Sequence, residues 1–502
     1  MRLALAFTIL FTFSCLSSAA LEAGILLERD SFADGSILAD FEANGSFSFS
    51  QSPSAMKLSF MVVNPEPKPI DIYLAVFDKD EKKWAVIKQL GRAPPRGTMM
   101  FEYETNFEYA GLSSETDEFA LIGESDKGLV GKVFTIEENW EDYERQLKSS
   151  IGLAALIALP SAFLLMVALG IFVYSQLGRG RLRTEEGEYT LSTLFFPRVK
   201  GRPISELIAD VMINPVFWAF EALSGLVLVC LILIFSISMI NWEIALLIFV
   251  VGGAVCWLMP FIYVITIWLL EVWEREPLRF PFALFMWGIF AAFIAFWLNL
   301  AVDFIGGGIS ESIFGSVGSG LFTLLSAILI APFIEEFAKG FGVLIASGHH
   351  ELDDTFDGIL YGFAAGAGFS AIENWLYFAV QNNPAAAGGF WGWVFLIVYR
   401  SVFDSLGHGW FTACIGGMIG FMKARQSLRR YAILGFFPGW LLASVLHALF
   451  NLFAVVDGII NVLKAFPVFV FNPAMLFLTT LVFAVIITFA LKESKDRVER
   501  GV

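Results

Sequence analysis

Between residues 331 and 451, ionisable and amide side chains stand inside otherwise apolar segments. Ala331-Pro332-Phe333-Ile334-Glu335-Glu336-Phe337-Ala338-Lys339 sets two adjacent carboxylates three and four residues before an ammonium group, so Lys339 is within helical reach of both. A lysine there neutralises the carboxylate it pairs with and leaves the other free for proton transfer. Phe369-Ser370-Ala371-Ile372-Glu373-Asn374 adds a third carboxylate after the small-residue run GFAAGAG, which lets a neighbouring helix approach closely. Arg400, Asp404 and His408 recur at intervals of four, one stripe on one helix, where the Arg–Asp pair can orient the imidazole. His447 and Asn451 repeat that spacing. The chain has four histidines: His349 and His350 sit in a loop, whereas His408 and His447 lie in separate apolar segments. Asp353, Asp354 and Asp357 precede the Glu373 segment and read as solvated loop acids.

A charged side chain at the centre of a membrane helix costs about 2.5–3.5 kcal/mol, so such residues stay when paired, hydrated or used. Hydrolysis of a peptide bond needs a base to activate water, donors for the oxyanion and an acid for the leaving amine. Two arrangements satisfy this. In one, His408, His447 and Glu373 hold Zn²⁺ and Glu335 or Glu336 is the base. In the other no metal takes part; a glutamate activates water, and histidine and Asn451 donate to the oxyanion. No HExxH is present, which excludes a zincin helix, and spacing leaves both arrangements open.

The elements that must position these groups follow from composition. Of 502 residues, 57% are hydrophobic and 16% charged, against about 25% charged in soluble domains. The apolar residues are gathered into runs of about 20 or more, the length that crosses a bilayer as a helix. Runs near 149–175, 216–240, 243–270, 281–304, 320–347, 357–380, 393–421, 431–456 and 473–491 predict nine spans. Residues 1–20 carry the layout of a signal peptide: Arg2, an apolar core, then small residues up to Ala20. Residues 21–147 are polar, with seven alternating runs (47–50, 57–63, 70–77, 83–89, 99–104, 118–123, 130–136) separated by turn-forming clusters. That pattern predicts a β-sandwich. The fold class expected is thus an all-α polytopic membrane bundle with an N-terminal extracytoplasmic β-sandwich. Its parts are a signal peptide (1–20), the sandwich (21–147), a span with a cytoplasmic linker (148–215), a multi-span catalytic domain (216–491) and a tail (492–502).

Lysine and arginine set the orientation. They cluster at Arg179–Arg202, at Arg275 and Arg279, at Lys423–Arg430 and at Lys492–Arg500, which puts these loops and the C-terminus in the cytoplasm and the sandwich outside the cell membrane. Lys464 is an exception, and the acidic loop 348–356 adds no support. The net charge of −15 shows no basic face, which excludes a nucleic-acid partner. The four cysteines, Cys15, Cys230, Cys256 and Cys414, have no zinc-binding spacing, and none falls within 21–147.

Taken together, Glu335-Glu336 with Lys339 (EExxK), Phe369 with Glu373 (FxxxE), and the later helix residues His408, His447 and Asn451 resemble the PrsW-like intramembrane proteases, distant relatives of the CAAX-processing and Abi membrane proteases. CAAX-type members show EExxxR and FxxxH, so Lys339 and Glu373 favour the PrsW branch. The resemblance covers about residues 210–490. It implies a membrane-embedded endopeptidase, usually metal-dependent, that cuts membrane-anchored proteins, in some relatives as a step of regulated proteolysis. Residues 21–147 are an addition to that core and suggest sensing or substrate docking. Two rival classes remain. A proton-coupled or solute transporter would use the same intramembrane acids, yet no second EExxK or HxxxN appears in 149–304. A non-catalytic receptor would keep the fold without needing the complete set of reactive side chains.

Overall fold

A computed structural model describes residues 26–28, 33–34, 38–45, 54–78, 82–107, 114–125, 128–153, 190–197, 199–239, 242–378, 390–462 and 471–500, with single positions between 154 and 171. The expected signal peptide and most of the expected 149–175 span lie outside the described residues.

The N-terminal part is a two-sheet sandwich. Six strands pair in the order β1 (Leu26–Glu28), β6 (Lys83–Ala93), β5 (Ile70–Asp78), β8 (Ser114–Ser125), β9 (Gly128–Asn139), β2 (Ala33–Asp34), and three in the order β3 (Leu38–Gly45), β4 (Ser54–Val63), β7 (Thr98–Phe107). Pairing is antiparallel except between β2 and β9. Alternate residues point inward, as the pleat requires: Leu58, Phe60 and Val62 of β4 pack with Ile70, Ile72 and Leu74 of β5 and with Phe119, Leu121 and Ile136. The Phe60 and Phe134 rings meet across the sheets at 5.5 Å. Six of the seven predicted runs fall in β4–β9; the seventh, 47–50, lies outside the described residues. β1 and β2 are too short to show alternation, whereas β3 alternates over Ala39–Asn44, a signal that sequence reasoning missed.

A helix over 141–153 leaves the sandwich and buries Trp140, Tyr143, Leu147 and Ile151, a helical stripe. Lys148 Nζ lies 2.6 Å from Glu243 Oε2, linking this exit helix to the bundle. The bundle comprises α1 (Ile204–Met212), α2 (Pro215–Met239), α3 (Trp242–Leu270), α4 (Arg279–Leu325), α5 (Ala331–Ala346), α6 (Thr355–Leu376), α7 (Phe390–Tyr399), α8 (Ser405–Lys423), α9 (Phe436–Val462) and α10 (Phe471–Arg500). Among the described residues, five helical stretches are long and apolar enough to span a membrane: Ala245–Leu270, Arg279–Gly315, Val317–Ala346, Arg429–Asp457 and Phe471–Arg500. The α1–α2 pair, bent by 51°, makes a sixth. α6 and the α7–α8 pair are helical where the 357–380 and 393–421 spans were expected, but they are not among these. The Gly/Ser-rich connector GGGISESIFGSVGSG, which lies between the expected 281–304 and 320–347 spans, is helical on both sides of Gly315, whose φ of 67° breaks the helix. Ser310 Oγ donates to Gly318 O at 2.8 Å and Phe322 packs over Gly306, so the two halves fold back as a hairpin.

α1 docks on the loop after α5. Arg202 reaches Asp210 at 2.5 Å and His349 at 2.9 Å, and burial holds the His349 imidazole below its ordinary pKa. Asp354 and Asp357 are buried rather than solvated. They form a capping box at the start of α6: Asp354 accepts from Phe356 N and Asp357 N, and Asp357 accepts from Asp354 N.

α6 is buried almost throughout, between α4 and α8. A Cβ at Gly358 would come 2.0 Å from Gly416 O, one at Gly366 2.1 Å from His408 O, and one at Gly368 1.9 Å from Phe285 O. The small-residue run thus seats Glu373 and His408 on touching backbones. Gly366→Val should force α6 and α8 apart, at a cost of about 1–3 kcal/mol or more, and lower the thermal midpoint in detergent, whereas Gly307→Ala, where nothing lies within 4 Å, should leave it nearly unchanged.

Candidate functional site

Glu335, Glu336 and Lys339 come from the first turns of α5, where Pro332 favours helix initiation. Glu373 comes from the last turn of α6, His408 from the first turn of α8, and His447 from mid-α9. Two π-helical turns, Ser326–Ile330 before α5 and Arg400–Asp404 before α8, adjoin the site. Side chains donate to carbonyls within them: Asn451 Nδ2 to Ala327 O at 2.9 Å, Tyr263 to Val402 O at 3.1 Å and Asn374 Nδ2 to Arg400 O at 3.4 Å.

Glu336 and Lys339 are fully buried and form the middle of a network. Glu336 Oε1 accepts from Lys339 Nζ at 2.6 Å and faces His447 Nδ1 at 3.0 Å, and Oε2 accepts from Thr412 Oγ1 at 2.8 Å. Lys339 Nζ also reaches His408 Nδ1 at 3.0 Å and lies 4.1 Å over the Phe369 ring. On its other edge His408 Nε2 lies 2.8 Å from Glu373 Oε2 and 3.6 Å from Asp404 Oδ2. Arg400 supports this side: it donates to Asn374 Oδ1 at 2.9 Å and Asp404 Oδ2 at 3.3 Å, and stacks over Tyr377.

Glu335 stands apart from this network. Asn299 Nδ2 donates to its Oε1 at 3.2 Å, while Oε2 is buried with no hydrogen-bond partner and sits 3.8 Å from His447 Nε2. Because His447 Nδ1 is committed to Glu336, its Nε2 lone pair points to the Glu335 side. A carboxylate behind an imidazole is the arrangement that fixes a metal-ligating histidine. Glu335, His408 and His447 each offer a ligand atom within 4.8 Å of the others, and so do Glu373, Asp404 and His408. Donor types and spacing therefore fit a divalent ion. For His408 to ligate through Nε2 its Nδ1 must hold the proton, which requires Lys339 to turn its hydrogens to Glu336. A third acidic group, Asp353, Asp354 and Asp357, is engaged in the α6 cap and with Arg497, 2.6 Å from Asp353 Oδ1.

The residues expected from the sequence to be catalytic or supporting (Glu335, Glu336, Lys339, Glu373, Arg400, Asp404, His408 and His447) thus lie in one cluster, with Asn451 bound to the π-turn at its edge. Sequence reasoning missed Thr412, Asn299 and Tyr377. Thr412 continues the Arg400–Asp404–His408 stripe by a further four residues, a signal that was available. Asn299 is a lone amide in an apolar run, flagged by the same desolvation argument that picked out the glutamates. Tyr377 had no distinguishing signal.

Residues 276–487 match the model of the PrsW family intramembrane metalloprotease. The chain is 26% identical to Protease PrsW of Geobacillus kaustophilus over 185 residues, 37% of this chain and 71% of that protein. It is 28% identical to Protease PrsW of Halalkalibacterium halodurans over 157 residues, 31% of this chain and 63% of that protein. No solved structure matches the chain. The matched region contains Glu335, Glu336, Lys339, Glu373, His408, His447 and Asn451, and the resemblance carried by EExxK, FxxxE and the two helix histidines is borne out there.

Thr412→Val should leave Glu336 Oε2 without its donor and lower stability by about 1.5–3 kcal/mol, the range for hydrogen bonds to charged groups. Thr412→Ser should retain most of it. Thermal denaturation of the two purified variants in detergent measures the difference.

Proposed function

We propose that this chain, a multi-pass membrane protein with a PrsW-like domain over residues 276–487, is an intramembrane endopeptidase that hydrolyses peptide bonds of membrane-anchored proteins. The observation that carries the reading is the buried Glu335 Oε2, unpartnered and facing His447 Nε2 at 3.8 Å. A carboxylate held in this state is free to accept a proton from water. Glu335 takes that proton as the water oxygen attacks the scissile carbonyl carbon. His408, backed by Lys339 and flanked by Glu373 and Asp404, is placed to donate to the developing oxyanion. When the C–N bond breaks, the proton held by Glu335 passes to the amine nitrogen, leaving a carboxylate and an amine. Asn374, Arg400 and Asp404 hold the His408 side in place, and Glu336 holds His447.

In the metal-dependent arrangement His408 and His447 with Glu335, whose ligand atoms lie within 4.8 Å of one another, would hold a zinc ion, whereas Glu373, expected from the sequence as the third ligand, groups with His408 and Asp404. Bound there, the zinc ion would supply Lewis acidity and an activated water. The order of the chain supports the wider reading: residues 1–20 as a signal peptide, 21–147 as an extracytoplasmic sensing or docking domain, 148–215 as a span and cytoplasmic linker, 216–491 as the protease domain in the cell membrane, and 492–502 as a cytoplasmic tail. The Lys148–Glu243 contact joins the sandwich's exit helix to α3, which suits a regulated protease.

Purified protein reconstituted with single-span peptides should generate new termini detectable by mass spectrometry. His408→Ala and His447→Ala should each lower the rate by about 10²–10⁴, the scale of lost acid–base catalysis. Chelation that abolishes cleavage, restored by zinc, selects the metal-dependent arrangement; cleavage indifferent to chelation selects the glutamate-driven one. Full activity in both histidine variants, or no cleavage by the wild type, removes the reading in favour of a transporter or receptor.

A further inference from the structure

Two cavities meet at the cluster. The first, of about 190 Å³, is walled by Leu228, Ala292, Ala295, Phe296, Ile372 and Leu376, and carries Glu335 and Asn299 in its lining. The second, of about 250 Å³, is walled by Leu396, Tyr399, Arg400, Asp404, His408 and Asn472. Ala327, Glu373, Tyr377 and Asn451 line both. Glu335 faces only the first chamber and His408 only the second. A peptide bond attacked between Glu335 and His408 must therefore lie at the shared wall, with the flanking substrate residues directed into different chambers.

Both chambers are mostly apolar, and they differ in the size of the side chains and the charged groups that line them. Around the first, α2 and α4 contribute leucine, alanine and phenylalanine, and Ala292 and Ala295 remove side-chain bulk where a larger residue would fill the space. An apolar cavity of about 150 Å³ accepts a benzene-sized guest, so one of about 190 Å³ has room for a bulky aliphatic or aromatic side chain. Its polar lining is acidic: Glu335, Glu373 and Asp303, the last bound to Ser326 Oγ at 2.6 Å. That lining works against an acidic side chain. The second chamber sets Leu396, Phe450 and Val455 beside the Arg400–Asp404 pair, two tyrosines and Asn472, a mixed lining with an ion pair that the first chamber lacks.

We propose that the chamber lined by Leu228, Ala292 and Ala295 is the specificity subsite, receiving a bulky, uncharged apolar side chain next to the scissile bond. This rests on the endopeptidase reading above and adds the substrate class. Ala292 and Ala295 set how large a side chain enters, and Leu228 limits the size of the chamber.

The test uses the full chain in proteoliposomes with a designed single-span peptide whose cleaved bond is first located by mass spectrometry. The residues on either side of that bond are then changed in turn to Ala, Leu, Phe or Glu. Wild-type protein should prefer Leu or Phe to Ala on one side of the bond and reject Glu there. Ala295→Phe, which fills the chamber, should lower the Leu-to-Ala ratio of kcat/KM by about tenfold or more, the scale of size discrimination in an apolar pocket. Leu228→Ala, which enlarges it, should shift preference towards Phe. Ratios are independent of the folded fraction, and if one variant does not fold the other decides. Unchanged ratios in the folded variants, with cleavage still lost in His408→Ala, would overturn the subsite while leaving the hydrolase intact. Failure of the wild type to cleave any peptide would overturn both.

Discussion

The Glu336 carboxylate is the point on which the bundle is assembled. It is fully buried, and its partners come from α5 itself (Lys339, 2.6 Å), α8 (Thr412, 2.8 Å) and α9 (His447, 3.0 Å). A buried charge is tolerated only when paired and hydrogen-bonded, and removing one partner typically costs about 3–5 kcal/mol. The three helices are therefore held to one register. Lys339 extends the constraint to α6 through the Phe369 ring and to His408. Glu335, one residue earlier and rotated by about 100° on the helix, meets His447 only across 3.8 Å, through the ring's other nitrogen, and faces the cavity. Two adjacent glutamates thereby have different surroundings, one enclosed in the network and one at a cavity wall.

Close packing gives this charge network its precision. Glycines of α6 bring its backbone against α8 and α4, so Glu373 and His408 are placed by main-chain contact rather than by adjustable side chains. Carbonyls within the π-turns before α5 and α8 accept from Asn451, Tyr263 and Asn374. The same turns line the two cavities, through Ala327 and Ile328 on one side and Arg400 and Asp404 on the other. These two departures from regular α-helix thus border the cavities at the cluster.

The site was legible because charge in an apolar run is costly, so each such residue announces itself. Glu335, Glu336, Lys339, Glu373, Arg400, Asp404, His408 and His447 all entered the cluster on that argument. What spacing could not give was the division of labour between Glu335 and Glu336, which depends on partners from α8 and α9 that are distant in sequence. The acids before α6 were misread for the same reason: a loop position looked solvated until Asp354 and Asp357 were seen to cap the helix. The strands β4–β9 followed from alternation, whereas β1 and β2 are too short to carry a period. The helical connector around Gly315 was hidden because glycine and serine lower helix propensity, yet the hairpin packing of Phe322 on Gly306 overrides it.

The division between the two glutamates is tested most directly by measuring stability and peptide cleavage together in Glu335→Gln and Glu336→Gln. The structure predicts that Glu335→Gln folds with a thermal midpoint close to wild type and has lost cleavage, whereas Glu336→Gln is markedly destabilised. A stable, inactive Glu336→Gln beside an active Glu335→Gln would contradict the account.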